Sequence, residues 1–89
     1  MDVERLRLLR AVAERGSVTA AASAAALTPS AVSQQLKILS REAKVPLLER
    51  TGRGVRLTDA GLALVRRTDD VLAALDAATA PDRRADNVQ

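Results

Sequence analysis

The side chains best suited to chemistry lie in one stretch, LTPSAVSQQLKIL, at residues 27–39. Ser30, Ser33, Gln34, Gln35 and Lys37 supply hydroxyls, amides and one ammonium, and no acid follows until Glu42. Hydroxyls and amides both donate and accept hydrogen bonds. Glutamine can pair bidentately with adenine, and serine can reach either bases or phosphate. An ordinary solvent-facing helix is filled with Glu and Lys four residues apart. A face without carboxylates suits a polyanion, which a carboxylate would repel.

Several other chemistries lack their residues. The chain has no Cys and no His, so there is no disulfide framework, thiol nucleophile, imidazole base or zinc site to expect. Asp69 and Asp70 occupy adjacent helical positions, face different directions, and read as solvated surface. The sequence predicts no enzyme, no metal and no cofactor. Its first residues, MDVERLRLL, mix charges with apolar residues and do not resemble a signal peptide. The Ala-rich stretch SVTAAASAAALTPSAV falls short of a bilayer span. A soluble, cytoplasmic chain with no membrane partner is expected.

Charge is concentrated near the same stretch. From Ser30 to Leu57 the chain carries Lys37, Arg41, Lys44, Arg50, Arg53 and Arg56 against Glu42 and Glu49, a surplus of four cations. Elsewhere eight cations meet nine anions. The net charge of +3 therefore comes from the middle third, as a phosphate-facing surface requires.

These residues need elements to position them. Eighty-nine residues without Phe, Tyr or Trp make one domain with a small, helical core. Val3, Leu6, Leu9 and Val12 recur at helical spacing, which predicts a first helix over Val3–Glu14 with Asp2 as N-cap and Gly16 as stop. Ser17 caps a second helix over Val18–Ala26, and Thr28 with Pro29 opens a third that reaches about Ala43. On that third helix Val32, Leu36, Leu39 and Ala43 form the buried stripe. Ser30, Ser33, Gln34, Lys37 and Arg41 take the opposite face. Two helices joined by a short turn, the first built of small residues, form a helix-turn-helix whose second helix enters a DNA major groove.

Beyond Pro46, Leu47–Arg50 and Val55–Leu57 flank TGRG. This pattern predicts a β-hairpin in which both glycines take positive φ and Arg53 stands at the tip. Beside a helix-turn-helix such a hairpin is a wing, and an arginine at its tip can enter a narrow minor groove. Thr58 then caps a fourth helix over 59–79, whose Leu64, Val65, Thr68, Val71, Leu72 and Leu75 approach a heptad seam suited to a second copy. The expected fold class is mainly α: a winged helix-turn-helix over 1–58, with a three-helix core and a two-stranded wing. A linker and dimerisation helix over 59–79 follows, then a polar, disordered tail over 80–89.

The runs GSVTAAA, LTPSAVSQQL and VPLLERTGRGVRLTDAG closely resemble the amino-terminal domain of LysR-type transcriptional regulators, over about residues 3–79. The resemblance implies a bacterial, dimeric, sequence-specific DNA-binding domain whose target is an interrupted inverted repeat of double-stranded DNA. Carried over by position, it implies base contacts from Pro29, Ser30, Ser33, Gln34 and Arg53. Phosphate contacts are implied for Thr19, Thr28, Gln35, Lys37 and Arg50. In this family the domain normally precedes a larger inducer-binding domain; nothing after Thr79 is expected to form one, which leaves open an excised fragment of a longer regulator or a natural short protein.

Departures from the family pattern bear on stability. Ala25 stands where a Leu is usual, Ser40 where a Glu is, and Ala43-Lys44 replaces a common Leu-Gly. If Ala25 and Ala43 leave space unfilled, each costs on the order of 2–5 kcal/mol relative to Leu. Lys44 in a left-handed conformation would cost roughly another 1 kcal/mol. A rival reading keeps the fold but changes its role, to a dimerising interaction module that antagonises a full-length regulator through mixed dimers.

Overall fold

The computed structural model describes residues 2–79, so the expected disordered tail lies outside the described residues. The element order is α1 (Val3–Arg15), α2 (Val18–Ala25), α3 (Pro29–Ala43), β1 (Leu48–Thr51), β2 (Gly54–Leu57) and α4 (Asp59–Ala78). It matches the predicted order, with boundaries moved by at most a residue or so.

Each helix starts where a short polar side chain can take an unpaired amide. The Asp2 carboxylate accepts from Glu4 N–H at 2.7 Å, Ser17 Oγ from Ala20 N–H at 3.0 Å, and Thr28 Oγ1 from Ala31 N–H at 3.1 Å. Thr58 Oγ1 accepts from Gly61 N–H at 3.1 Å and donates to the Pro46 carbonyl at 2.7 Å. Gly16 ends α1 at φ 81°, its N–H returned to Val12 O. The end of α2 differs from expectation. The helix stops at Ala25, and Ala26 takes the left-handed conformation at φ 58° although no glycine marks the place. Lys44 does the same at the end of α3, at φ 61°.

Leu6, Leu9 and Val12 of α1 pack with Ala21 and Ala22 of α2, with Val32, Leu36 and Leu39 of α3, and with Leu47. The two buried alanines carry only a methyl each, which lets α2 lie close to its neighbours. Ala43 is half-buried against this core. Ala25 is not part of it. It is exposed and borders a surface depression with Leu8, Leu27 and Ala31. The cavity cost considered for Ala25 therefore does not arise, because water reaches the space a Leu would fill.

The hairpin pairs Leu48 with Leu57, Glu49 with Arg56, Arg50 with Val55 and Thr51 with Gly54. Its loop is Gly52-Arg53, and of the two glycines of TGRG only Gly54, the first residue of β2, takes positive φ, at 149°. The expectation that both would do so is corrected. Thr51 Oγ1 accepts from Arg53 N–H at 3.3 Å, holding a turn that asks no positive φ of Gly52.

α4 lies along α1 and touches β2. Gly61 is what permits the approach, since a Cβ there would overlap the carbonyl oxygen of Leu47. Thr68 and Leu72 are 1% and 3% exposed within this single chain, and Thr68 Oγ1 donates to Leu64 O at 2.8 Å. The heptad spacing puts both on the seam to a second copy. Both are already covered within the chain: the helical period sets a stripe, and half of the stripe is used internally. Leu64 and Val65 are half-buried, while Val71 and Leu75 are 44% and 39% exposed.

Candidate nucleic-acid interface

α3 carries two outward ridges of residues four apart, the spacing at which helical side chains stand one above another. Ser30 and Gln34 lie on one, Ser33, Lys37 and Arg41 on the other. Ser30, Gln34, Lys37 and Arg41 are exposed and Ser33 is half-buried. Opposite them, Val32, Leu36 and Leu39 are fully buried, which fixes the rotation of the helix about its axis. Pro29 begins the helix and is exposed, next to the exposed cap Thr28. Thr28 Oγ1 already accepts one bond, so its O–H remains available as a donor. Thr19 is exposed in the first turn of α2.

The structure brings Pro29, Ser30, Ser33, Gln34 and Lys37 to one surface depression formed by α3 alone. Gln35 is turned elsewhere. It is half-buried, and its Oε1 accepts from Arg5 Nε at 2.8 Å on the far flank of α3.

An open groove of about 680 Å³ separates α3 from the wing. Lys37, Arg41 and Lys44 line it from the helix, and Arg50 and Val55 from the hairpin. The strand register explains why Arg50 belongs here. It shares a hairpin face with Leu48, Val55 and Leu57; Glu49 alternates to the other face with Arg56, yet it still borders the groove at its edge. Arg53 stands exposed at the loop.

Ion pairing sharpens the charge pattern. Glu42 lies 3.7 Å from Arg5, and Glu49 is bonded to Arg56 at 2.7 Å. Both carboxylates of the basic segment are thus neutralised by arginines off the groove. Lys37, Arg41, Lys44, Arg50 and Arg53 have no carboxylate partner among the described residues, whereas Arg5, Arg7 and Arg10 of α1 all do. Cations left without partners along one groove can neutralise a run of phosphates. Arg41 is legible in the sequence as part of the outward face of α3 and Lys44 only as a contributor to a charge count; their place beside Arg50 depends on how the hairpin folds back.

No group of Cys, His, Asp or Glu among the described residues is placed to hold a metal ion. No helix among them is long and apolar enough to cross a membrane.

Comparison with known proteins agrees with this geometry. The family model described as bacterial regulatory helix-turn-helix protein, lysR family, matches residues 3–62. An uncharacterized HTH-type transcriptional regulator of Azotobacter vinelandii is 42% identical over 76 residues, covering 85% of this chain and 53% of that protein. The regulator MetR of Haemophilus influenzae is 38% identical over 72 residues, 81% of this chain and 22% of that one. The chain thus spans about half the length of the first relative and less than a quarter of the second. Among solved structures, the BenM DNA-binding domain in complex with catB site 1 DNA superposes with a TM-score of 0.88 at 29% identity, covering 100% of this chain and 97% of that one. The DNA-binding domain of CbnR, also in complex with DNA, gives 0.81 at 31% identity, with 100% of both chains covered. The chain is a winged helix-turn-helix protein and belongs to the lysR family of bacterial transcriptional regulators.

Proposed function

We propose that this chain binds double-stranded DNA in a sequence-dependent way, as a dimer, with α3 in the major groove and the hairpin against the adjacent minor groove. The observation that carries this reading is the carboxylate-free flank of α3. Its outward ridges offer hydroxyls, an amide and ammonium or guanidinium groups, and the two nearby glutamates, Glu42 and the groove-lining Glu49, are each paired with an arginine. The DNA complexes of BenM and CbnR, whose domains superpose along the whole chain, support it.

Within this reading residues 1–58 form the DNA-binding unit and 59–79 the linker and dimerisation helix. Pro29, Ser30, Ser33, Gln34 and Arg53 face bases; Thr19, Thr28, Lys37 and Arg50 face phosphates, joined by Arg41 and Lys44. Gln35 reaches phosphate only by releasing Arg5. The exposed Val71 and Leu75 of α4 meet the second copy, while Thr68 and Leu72 stay buried within the chain. The role is regulatory and non-catalytic, and it is carried out in the cytoplasm. The DNA target is an interrupted inverted repeat with half-sites spaced by whole helical turns.

Selection of bound sequences from random duplex DNA tests the reading, with an inverted repeat as the expected outcome. Absence of binding to any duplex at low salt would overturn it and favour an interaction module that forms mixed dimers.

A further inference from the structure

Most apolar side chains of α3 have a place in the core. Val32, Leu36 and Leu39 are fully buried, and Ala43 packs against them. Ile38 does not share that place. It is half-buried, yet it is not among the apolar side chains packed around the core. It stands four residues beyond Gln34 and eight beyond Ser30, so it continues the outward ridge that those two begin. It borders the same depression as Ser30, Gln34 and Lys37, whose walls come from α3 alone.

A β-branched hydrocarbon on a hydrogen-bonding surface needs an apolar partner. The major groove presents one such group at base-edge level, the C5 methyl of thymine. We propose that Ile38 is a specificity-determining residue that contacts a thymine methyl. The inference rests on the DNA-binding reading above. Four residues of helix advance about 6 Å, roughly two base-pair steps of 3.4 Å. The thymine therefore lies within about two base pairs of the pair read by Gln34.

Deoxyuridine isolates the contact, because it lacks only that methyl. In half-sites obtained by selection, each thymine is replaced in turn by deoxyuridine and affinity is measured for the wild-type chain, Ile38→Val and Ile38→Ala. One replacement near the Gln34-dependent pair should weaken wild-type binding about fourfold, the effect of one methyl group. The penalty should shrink in Ile38→Val and vanish in Ile38→Ala, with melting temperatures unchanged. An equal penalty in all three proteins, no penalty at any thymine, or no thymine in the selected region would overturn the proposal while DNA binding itself stands. A large fall in melting temperature for Ile38→Ala would also overturn it, by making Ile38 a packing residue. Failure of every duplex to bind would be the separate failure of the reading beneath.

Discussion

Arg5 of α1 donates from Nε to Oε1 of Gln35 on α3 at 2.8 Å, and its Nη1 lies 3.7 Å from Glu42, two helical turns further along. One guanidinium thus grips the recognition helix at two levels. The grip holds α3 by a flank between its outward ridges and its buried stripe, so it steadies where those ridges point without joining them.

Arg5→Ala is expected to lower unfolding free energy by about 1–2 kcal/mol, the range of a hydrogen bond with one charged partner, reduced because Arg5 is partly exposed. Urea denaturation of Arg5→Ala, Gln35→Ala and the double variant should give a coupling energy of roughly 1 kcal/mol. Strict additivity would mean that the two side chains do not act together.

At Gly61 the requirement is steric. Gly61→Ala would drive a methyl into the Leu47 carbonyl oxygen, at a cost of about 1–3 kcal/mol as α4 moves off the hairpin base. Thermal melting reads this loss. A melting temperature equal to that of the wild type would show that α4 shifts without cost.

Ala26 and Lys44 hold left-handed conformations that glycine adopts more readily. Ala26→Gly should stabilise the chain by roughly 1 kcal/mol, a rise in melting temperature of about 4–8 °C for a domain of this size. Lys44→Gly should stabilise similarly while weakening DNA binding, since it removes a groove cation. A variant that gains stability and keeps full affinity would remove Lys44 from the phosphate-facing set.

Gln34 and Lys37 occupy different ridges and should fail differently. Gln34→Ala should cost about 1–3 kcal/mol at one base position. Lys37→Ala should weaken all sequences alike and lower the salt slope by roughly one. Equal losses for both variants on every operator sequence would erase the division of roles.

Val71 and Leu75 are the large exposed apolar residues in the second half of α4. Leu75→Glu should yield monomers in analytical ultracentrifugation and remove the concentration dependence of the melting temperature expected of the wild-type dimer. A wild-type melting temperature that does not vary with concentration would count against pairing through this helix.

The parts of this molecule legible in its sequence are those set by neighbours in the chain. Asp2, Ser17, Thr28 and Thr58 each take an amide only two or three residues away, so residue type and position suffice to place them. The outward face of α3 is legible for the same reason, through the helical period. Thr68 and Leu72 read as seam residues because periodicity finds an apolar stripe without saying which of two surfaces it meets. Gln35 reads as a phosphate contact because the partner that holds it is thirty residues away. Ala26 gives no sign, since alanine is a good helix former and its left-handed turn is set by how α2 and α3 meet. Ile38 lies off the stripe of Val32, Leu36 and Leu39 by spacing, and the packing shows that it is left out of the core.

Thr58 belongs to two things at once. Its hydroxyl caps α4 and reaches back to the Pro46 carbonyl, and its N–H donates to the Leu47 carbonyl at 3.0 Å. No free joint lies between the reading unit and the helix that would pair with a second copy. In a pair joined along α4, the span between the two reading helices becomes a fixed length. Such a pair works as a caliper: a half-site with the right bases at the wrong separation is rejected by the stiffness of the instrument, before any base is compared.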